Sequence, residues 1–199
     1  MIKDFAKVEK NLQARGFDVK IFKTISEAAE YLNGAIDGMT VGIGGSATVK
    51  ASNVYDLLKT HNEVHWHWEQ DAQLARSKAM VSDVYLTSAN ALSETGELVS
   101  IDGVGNRVSS MLFGHKQVYY LIGSNKLTDT YEDAVWRARN IAAPKRANQF
   151  GVKTPCAAKA DKCYDCSSPE RICRGMATIW APMMGTKVEV LLVDEAYGL

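Results

Sequence analysis

The feature that most constrains the fold is a regular alternation of short apolar runs with helical segments. Apolar runs typical of buried strands occur at residues 39–43, 84–87, 118–122 and 187–193. Crossovers of about a dozen residues, the length that parallel pairing needs, separate such runs along the chain. The alternation therefore predicts an α/β protein with a largely parallel sheet flanked by helices. In such sheets, ligands bind beyond the carboxyl ends of the strands, which selects the loops to inspect.

Length and charge limit the class of protein. The 199 residues predict one domain over 1–199, with a first helix at 1–15 that we expect to be peripheral and a cysteine-rich segment at 151–175 inside it. The chain has 23 basic and 23 acidic residues, and this balance disfavours nucleic-acid binding and permits a homo-oligomer. No apolar stretch is long enough to span a membrane, and the charged N-terminal segment does not resemble a signal peptide. We therefore expect a cytoplasmic protein without a membrane partner.

A glycine-rich junction follows the apolar run at 39–43. Gly44, Gly45 and Ser46 precede a predicted helix, and glycines let backbone N–H groups approach a ligand closely. Together with the helix N-terminus, these groups would suit a phosphate or a carboxylate. A tight turn with a serine cap and no ligand is the alternative. The absence of a P-loop lysine and of a full GxGxxG disfavours ATP and dinucleotides.

Two polar loops on either side of a short strand at 98–101 supply further candidates. The side chains and glycine that we expect within reach of one cleft are Asn90, Glu94, Asp102, Gly105, Asn106 and Arg107. Glu94 is the candidate catalytic base or nucleophile, because carboxylates serve both roles. Arg107 is suited to bidentate contact with a carboxylate or phosphate. The alternative interpretation is that these residues only form turns and that Asn106 caps a helix.

These motifs together resemble a known family. The segments 44–48, 87–91, 94–96 and 102–108 are similar, in order and spacing, to those of the LUD domain, also called DUF162, of lactate-utilisation protein C. The resemblance implies a fold like those of ribose-5-phosphate isomerase, glucosamine-phosphate deaminase and the CoA-transferases. In that superfamily the turn that Gly44–Ser46 resembles holds a phosphate, a carboxylate or part of CoA. The loop at Glu94 resembles the CoA-transferase glutamate loop, whereas the amide of Asn90 stands where isomerases carry an acid.

The resemblance leads to two functional hypotheses. The first is a protein of lactate or organic-acid metabolism that binds a small anionic metabolite: an organic acid, a phosphate ester or a CoA derivative. Its activity would be isomerase-like, transferase-like or associated with an oxidoreductase. The second is a non-catalytic accessory subunit of an iron–sulfur lactate oxidoreductase, since relatives encoded with iron–sulfur partners are implicated in oxidising L-lactate to pyruvate.

All four cysteines lie in one short segment. Cys156, Cys163, Cys166 and Cys173 have the spacing C-x6-C-x2-C-x6-C, in which the central pair is typical of a metal knuckle. Four thiolates can bind either zinc or an iron–sulfur cluster. Reduced thiols without a metal and a redox-active pair are the alternatives. The segment resembles the stand-alone branch of the LUD family rather than its lactate-operon members.

Two other groups of residues have simpler interpretations. His65 and His67 alternate with tryptophans, which indicates an edge strand with one polar face rather than a metal site. Lys145 and Arg146, with two arginines at 137 and 139, indicate the solvated face and end of a helix. Otherwise this basic stretch would contact an acidic ligand or an iron–sulfur partner.

Overall fold

Six parallel strands form the central sheet of the computed structural model, which describes residues 5–199. Their spatial order is β1-β10-β7-β4-β2-β3, and every neighbouring pair is parallel. The strands are β1 (Asp18–Phe22), β2 (Thr40–Ile43), β3 (Glu63–Trp66), β4 (Val84–Thr87), β7 (Gln117–Gly123) and β10 (Lys187–Val193). The predicted α/β class, with a largely parallel sheet flanked by helices, is confirmed.

The sheet forms because its central strands are apolar on both faces. In β10, Leu191 and Val193 belong to one buried cluster, and Val190 and Leu192 belong to another. Helices cover both faces of such a sheet, so its central strands are continuously hydrophobic rather than alternating. This pattern explains why β10 has the bounds expected from its sequence.

Nine α-helices are present in the part of the chain that the structure describes. They are α1 (Phe5–Ala14), α2 (Ile25–Ala35), α3 (Ala47–Ala51), α4 (Val54–Leu58), α5 (Ala72–Ala79), α6 (Asn106–Leu112), α7 (Tyr131–Arg137), α8 (Ala143–Phe150) and α9 (Pro155–Lys159). The predicted helix after Ser46 breaks at Asn53, whose φ of 56° is left-handed. The helix that follows the glycine turn is therefore five residues long, and its dipole is correspondingly weak.

A second, four-stranded sheet packs beside the first, with the order β8-β5-β6-β9. Its strands are β5 (Ala91–Ser93), β6 (Leu98–Asp102), β8 (Leu127–Thr128) and β9 (Gly175–Ile179). The sequence predicts β6 but not the other three. β5 and β8, with three and two residues, are too short to show the alternation on which sequence prediction depends.

α7 and α8 are joined by one turn of π-helix at Ala138–Ala142. There, the Ala143 N–H donates to the carbonyl of Ala138, five residues earlier. Pro144 lies in the first turn of α8, where its missing N–H is tolerated. Thr130 caps α7, and the helical path runs through Pro144 to Phe150.

The predicted helix at 1–15 begins in residues 1–4, which lie outside the described part of the chain. The rest of it is α1, which buries Val8 and Leu12. Among residues 5–199, no helix has the length and apolar character that crossing a membrane would require.

Candidate functional site

A cavity lies beyond the carboxyl ends of β2, β3 and β4, where the rule for parallel sheets predicts ligands. Its volume is about 530 Å³, within the range of about 300–1,000 Å³ that is common for small-molecule sites. The loops after those three strands contribute one wall, and the end of β6 and the start of α6 contribute another. Predicted site residues in the lining are Gly45, Ser46, Asn90, Asp102, Asn106 and Arg107.

The glycine turn is held close to its neighbours. A Cβ atom at Gly44 would lie 2.8 Å from Tyr85 Oη and 3.2 Å from Arg107 Cγ, so no side chain is accommodated there. Gly44 lies behind the lining rather than in it, and Gly45 contributes to the cavity surface. The Ser46 hydroxyl accepts a hydrogen bond from the Val49 N–H at 3.2 Å and so caps α3.

Arg107 and Asp102 form the second polar wall. Asp102 accepts hydrogen bonds from the backbone N–H groups of Arg107 (2.9 Å) and Val108 (3.1 Å), which fixes the start of α6. Burial alone would raise the pKa of Asp102, but the Arg107 guanidinium and these N–H donors outweigh burial and lower it. Arg107 Nη2 also donates to Asn90 Oδ1 and the Ile101 carbonyl. Asn90 and the Ile101 carbonyl thus orient the guanidinium, and Asp102 fixes the backbone of Arg107.

Sequence reasoning missed most of the positive charge in the cavity. Five cations besides Arg107 line it: Arg76, Lys126, Arg146, Arg171 and Arg174. The only acidic side chains that the described residues contribute are Asp102 and Glu170. The Arg76 Nε atom is buried and has no hydrogen-bond partner within residues 5–199.

Lys126 is the most deeply buried of these cations, with 4% of its surface exposed. Its Nζ donates to Ser88 Oγ at 2.9 Å and to the Ala89 carbonyl at 3.0 Å. Burial, reinforced by Arg137 and Arg107, lowers the pKa of Lys126 well below its ordinary value. A buried amine with a lowered pKa can exchange protons more readily than a surface lysine.

The sequence predicts that the basic residues at 137–146 lie on the solvated face and end of a helix. That prediction is wrong for two of them. Arg137 is buried and donates to the backbone carbonyls of Asn90 and Asn125. The Arg146 guanidinium lies 4.8 Å from the ring centre of Trp68 and 4.2 Å from that of Phe150. These two cation–π contacts close one side of the cavity.

His67 is another residue that sequence reasoning set aside. It follows the end of β3 rather than lying within it, and it lines the cavity beside Gly45. Burial lowers its pKa, and the positive charge of Arg76 lowers it further. The neutral imidazole is therefore favoured, and this form can accept a proton.

Two predicted residues do not line the cavity. Gly105 caps α6 with a φ of 92° and is not part of the lining. Glu94 lies in the turn after β5, where its side chain pairs with Lys7 and its carbonyl accepts a 2.7 Å hydrogen bond from Asn11 Nδ2. About 13 Å of extended strand separates Asn90 from Glu94. The structure therefore brings Asn90, but not Glu94, to the cavity.

The four cysteines all line a second, small cavity. Cys156 lies in α9, and Cys163, Cys166 and Cys173 lie in the irregular segment that follows. Each of these thiols is partly exposed and free of disulfide bonds. Within residues 5–199, no three histidine, cysteine or acidic side chains are arranged to hold one metal ion.

The fold and the cavity together define an α/β protein with a cationic site at the carboxyl edge of its parallel sheet. The LUD domain matches residues 5–193, and the chain belongs to that family. A crystal structure of a DUF162 family protein from Deinococcus radiodurans is similar, with a TM-score of 0.57, 12% sequence identity and 95% of each chain covered. At that identity the likeness supports the shared fold. No curated protein matches the chain.

Proposed function

We propose that this protein binds a small anionic metabolite, with a carboxylate or a phosphate group, in the cavity at the carboxyl edge of its sheet. The observation that carries the proposal is the charge of the lining, where five arginine side chains outnumber two acidic side chains. Preorganised guanidinium groups recognise planar anions such as carboxylates through paired hydrogen bonds.

The buried Arg76 Nε supports the same proposal. A buried donor without a partner costs about 1–3 kcal/mol, and an anionic oxygen in the cavity would remove that cost. Asn90 and Asp102 hold Arg107 in place, so its guanidinium loses little freedom when a ligand binds.

The family is linked to lactate utilisation, which favours an organic acid. A three-carbon acid would occupy only a fraction of a cavity of about 530 Å³. The remaining volume suits a larger organic acid, a phosphate ester or the phosphate-bearing part of a CoA derivative. His67 is the side chain that we assign to proton transfer with the ligand, since its pKa is lowered and it lines the same cavity. Glu94 has no part in this proposed site.

Calorimetry with L-lactate, pyruvate, inorganic phosphate and CoA tests the proposal. One charge-assisted hydrogen bond contributes about 1.5–3 kcal/mol, so Arg107→Gln should weaken binding of the preferred anion about 10- to 150-fold. Lys145→Gln is the matched control, because Lys145 carries the same charge but is exposed on α8 outside the cavity. Equal affinity in all three proteins, or no binding of any of these anions, would refute the proposal.

A further inference from the structure

Lys126 is a buried amine to which the proposed function assigns no role. It ends the single turn of 3-10 helix at Ser124–Lys126, directly after β7, and it lines the anion cavity although only 4% of its surface is exposed. We propose that Lys126 forms an imine with a small 2-oxo acid, whose carboxylate is bound by the arginine side chains of the cavity. This inference rests on the proposed anion site and adds to it a ligand class and a covalent step.

The hydrogen bonds of Lys126 suit a neutral amine. Its Nζ donates to Ser88 Oγ at 2.9 Å and to the Ala89 carbonyl at 3.0 Å, and within residues 5–199 it has no third acceptor and no carboxylate partner. An ammonium group has three N–H donors, whereas a neutral amine has two donors and a lone pair. The two acceptors therefore satisfy the neutral form and leave its lone pair free to attack a carbonyl carbon.

The surroundings of Lys126 also disfavour its charged form. Burial lowers the pKa of Lys126, and the positive charges of Arg137 and Arg107 lower it further. An ordinary surface lysine, with a pKa of about 10.4, has only about one amine in a thousand neutral near pH 7.4. Loss of water and a neighbouring cation are the two conditions that activate a lysine as a nucleophile toward carbonyl compounds. Both conditions hold at Lys126.

The loop after β4 holds this amine beside a guanidinium that can bind the carboxylate. The Ala89 carbonyl accepts from Lys126 Nζ, and the side chain of the next residue, Asn90, accepts from Arg107 Nη2 at 3.2 Å. Consecutive residues thus position the two groups, and both Lys126 and Arg107 line the cavity. In a 2-oxo acid the carbonyl carbon is bonded directly to the carboxylate. A neighbouring amine and guanidinium therefore match the two functional groups of such a ligand.

The reaction needs no reagent other than the 2-oxo acid. The Lys126 nitrogen forms a bond to the carbonyl carbon, and the carbonyl oxygen takes up the two amine protons and leaves as water. One C=N bond replaces one C=O bond, and nothing is oxidised or reduced. The carboxylate does not react, so the arginine side chains hold it throughout. Covalent attachment of this kind divides a difficult reaction of the ligand into easier steps.

Reductive trapping in the full chain tests the proposal. The protein is incubated with pyruvate, or in a separate sample with 2-oxoglutarate, and with sodium cyanoborohydride, which reduces an imine to a stable secondary amine. Peptide mass mapping should show that Lys126 gains the mass of the 2-oxo acid less one oxygen atom, at least about tenfold faster than the exposed Lys145 near pH 7.4. L-Lactate has the carboxylate of pyruvate but no carbonyl group. It should therefore slow the labelling of Lys126 by pyruvate and form no adduct itself.

Labelling of Lys126 no faster than that of Lys145 would overturn the proposal. Both rates come from the wild-type chain, so the result does not depend on whether a Lys126 variant folds. Calorimetry on the same samples separates this failure from failure of the anion site. A 2-oxo acid that binds, and binds more weakly to Arg107→Gln, but leaves Lys126 unmodified would refute the imine and keep the anion site. If neither probe binds or labels, the imine is refuted, and inorganic phosphate, L-lactate and CoA decide the anion site.

Discussion

Replacing Lys126 with methionine should change how stability depends on pH. Methionine has a similar length but no charge, and Lys126 is 4% exposed. Burial, Arg137 and Arg107 lower the pKa of Lys126 in the folded protein, whereas in the unfolded chain it stays near about 10.4. Between those two pKa values the unfolded state binds one more proton than the folded state, so stability rises with pH.

The magnitude follows from that one proton. Each pH unit inside the interval adds about 1.4 kcal/mol to the free energy of unfolding of the wild type. Across two units the wild type therefore gains up to about 2.7 kcal/mol that Lys126→Met does not gain. The substitution also removes donors to Ser88 Oγ and the Ala89 carbonyl, at a cost of about 1 kcal/mol for each. That cost does not depend on pH, so the change of the stability difference with pH reports only the ionisation of Lys126.

Urea denaturation followed by tryptophan fluorescence, at several values between pH 7 and pH 10, measures the effect. The quantity compared is the difference in unfolding free energy between wild type and variant at each pH. Ionisation of the cysteines and tyrosines cancels in this difference because both proteins contain them. Lys145→Met, at an exposed site on α8, should keep the wild-type slope. Parallel curves for wild type and Lys126→Met would show that Lys126 is not held with a lowered pKa.

Three further outcomes are expected. Gly44→Ala should lower the free energy of unfolding by about 1–3 kcal/mol in denaturant titrations, because its Cβ would lie 2.8 Å from Tyr85 Oη; unchanged stability would contradict the close packing. Glu97→Gln should lower the free energy of unfolding by about 1–3 kcal/mol, because it breaks the ion pair with Arg15. Since the pKa of Glu97 is lowered in the folded protein, the variant should also lose less stability than the wild type as the pH falls. In NMR titrations the pKa of His67 should lie below about 6.5 and should rise when an anion binds. A pKa that does not change with ligand would place the anion elsewhere.

The central sheet could be predicted because its strands are buried on both faces. β7 is apolar or aromatic from Val118 to Ile122 and β10 is apolar from Val190 to Val193, so these runs can be identified from composition. Most of the second sheet could not be predicted, because β8 and β9 are stabilised by pairing with strands far earlier in the chain and β5 has only three residues. The helical path reaches Pro144 through a π turn, which no local sequence signal specifies.

The candidate site could be predicted where it depends on loops and not where it depends on helices. Gly45 and Asn90 lie in loops after strands, and Arg107 lies in the first turn of α6 directly after a polar loop. The topology of parallel sheets brings such loops together. Arg76 and Arg146 each lie on a helix, where a single cation has the same sequence signature as a solvated one. Only the three-dimensional packing shows that these two arginines line the cavity.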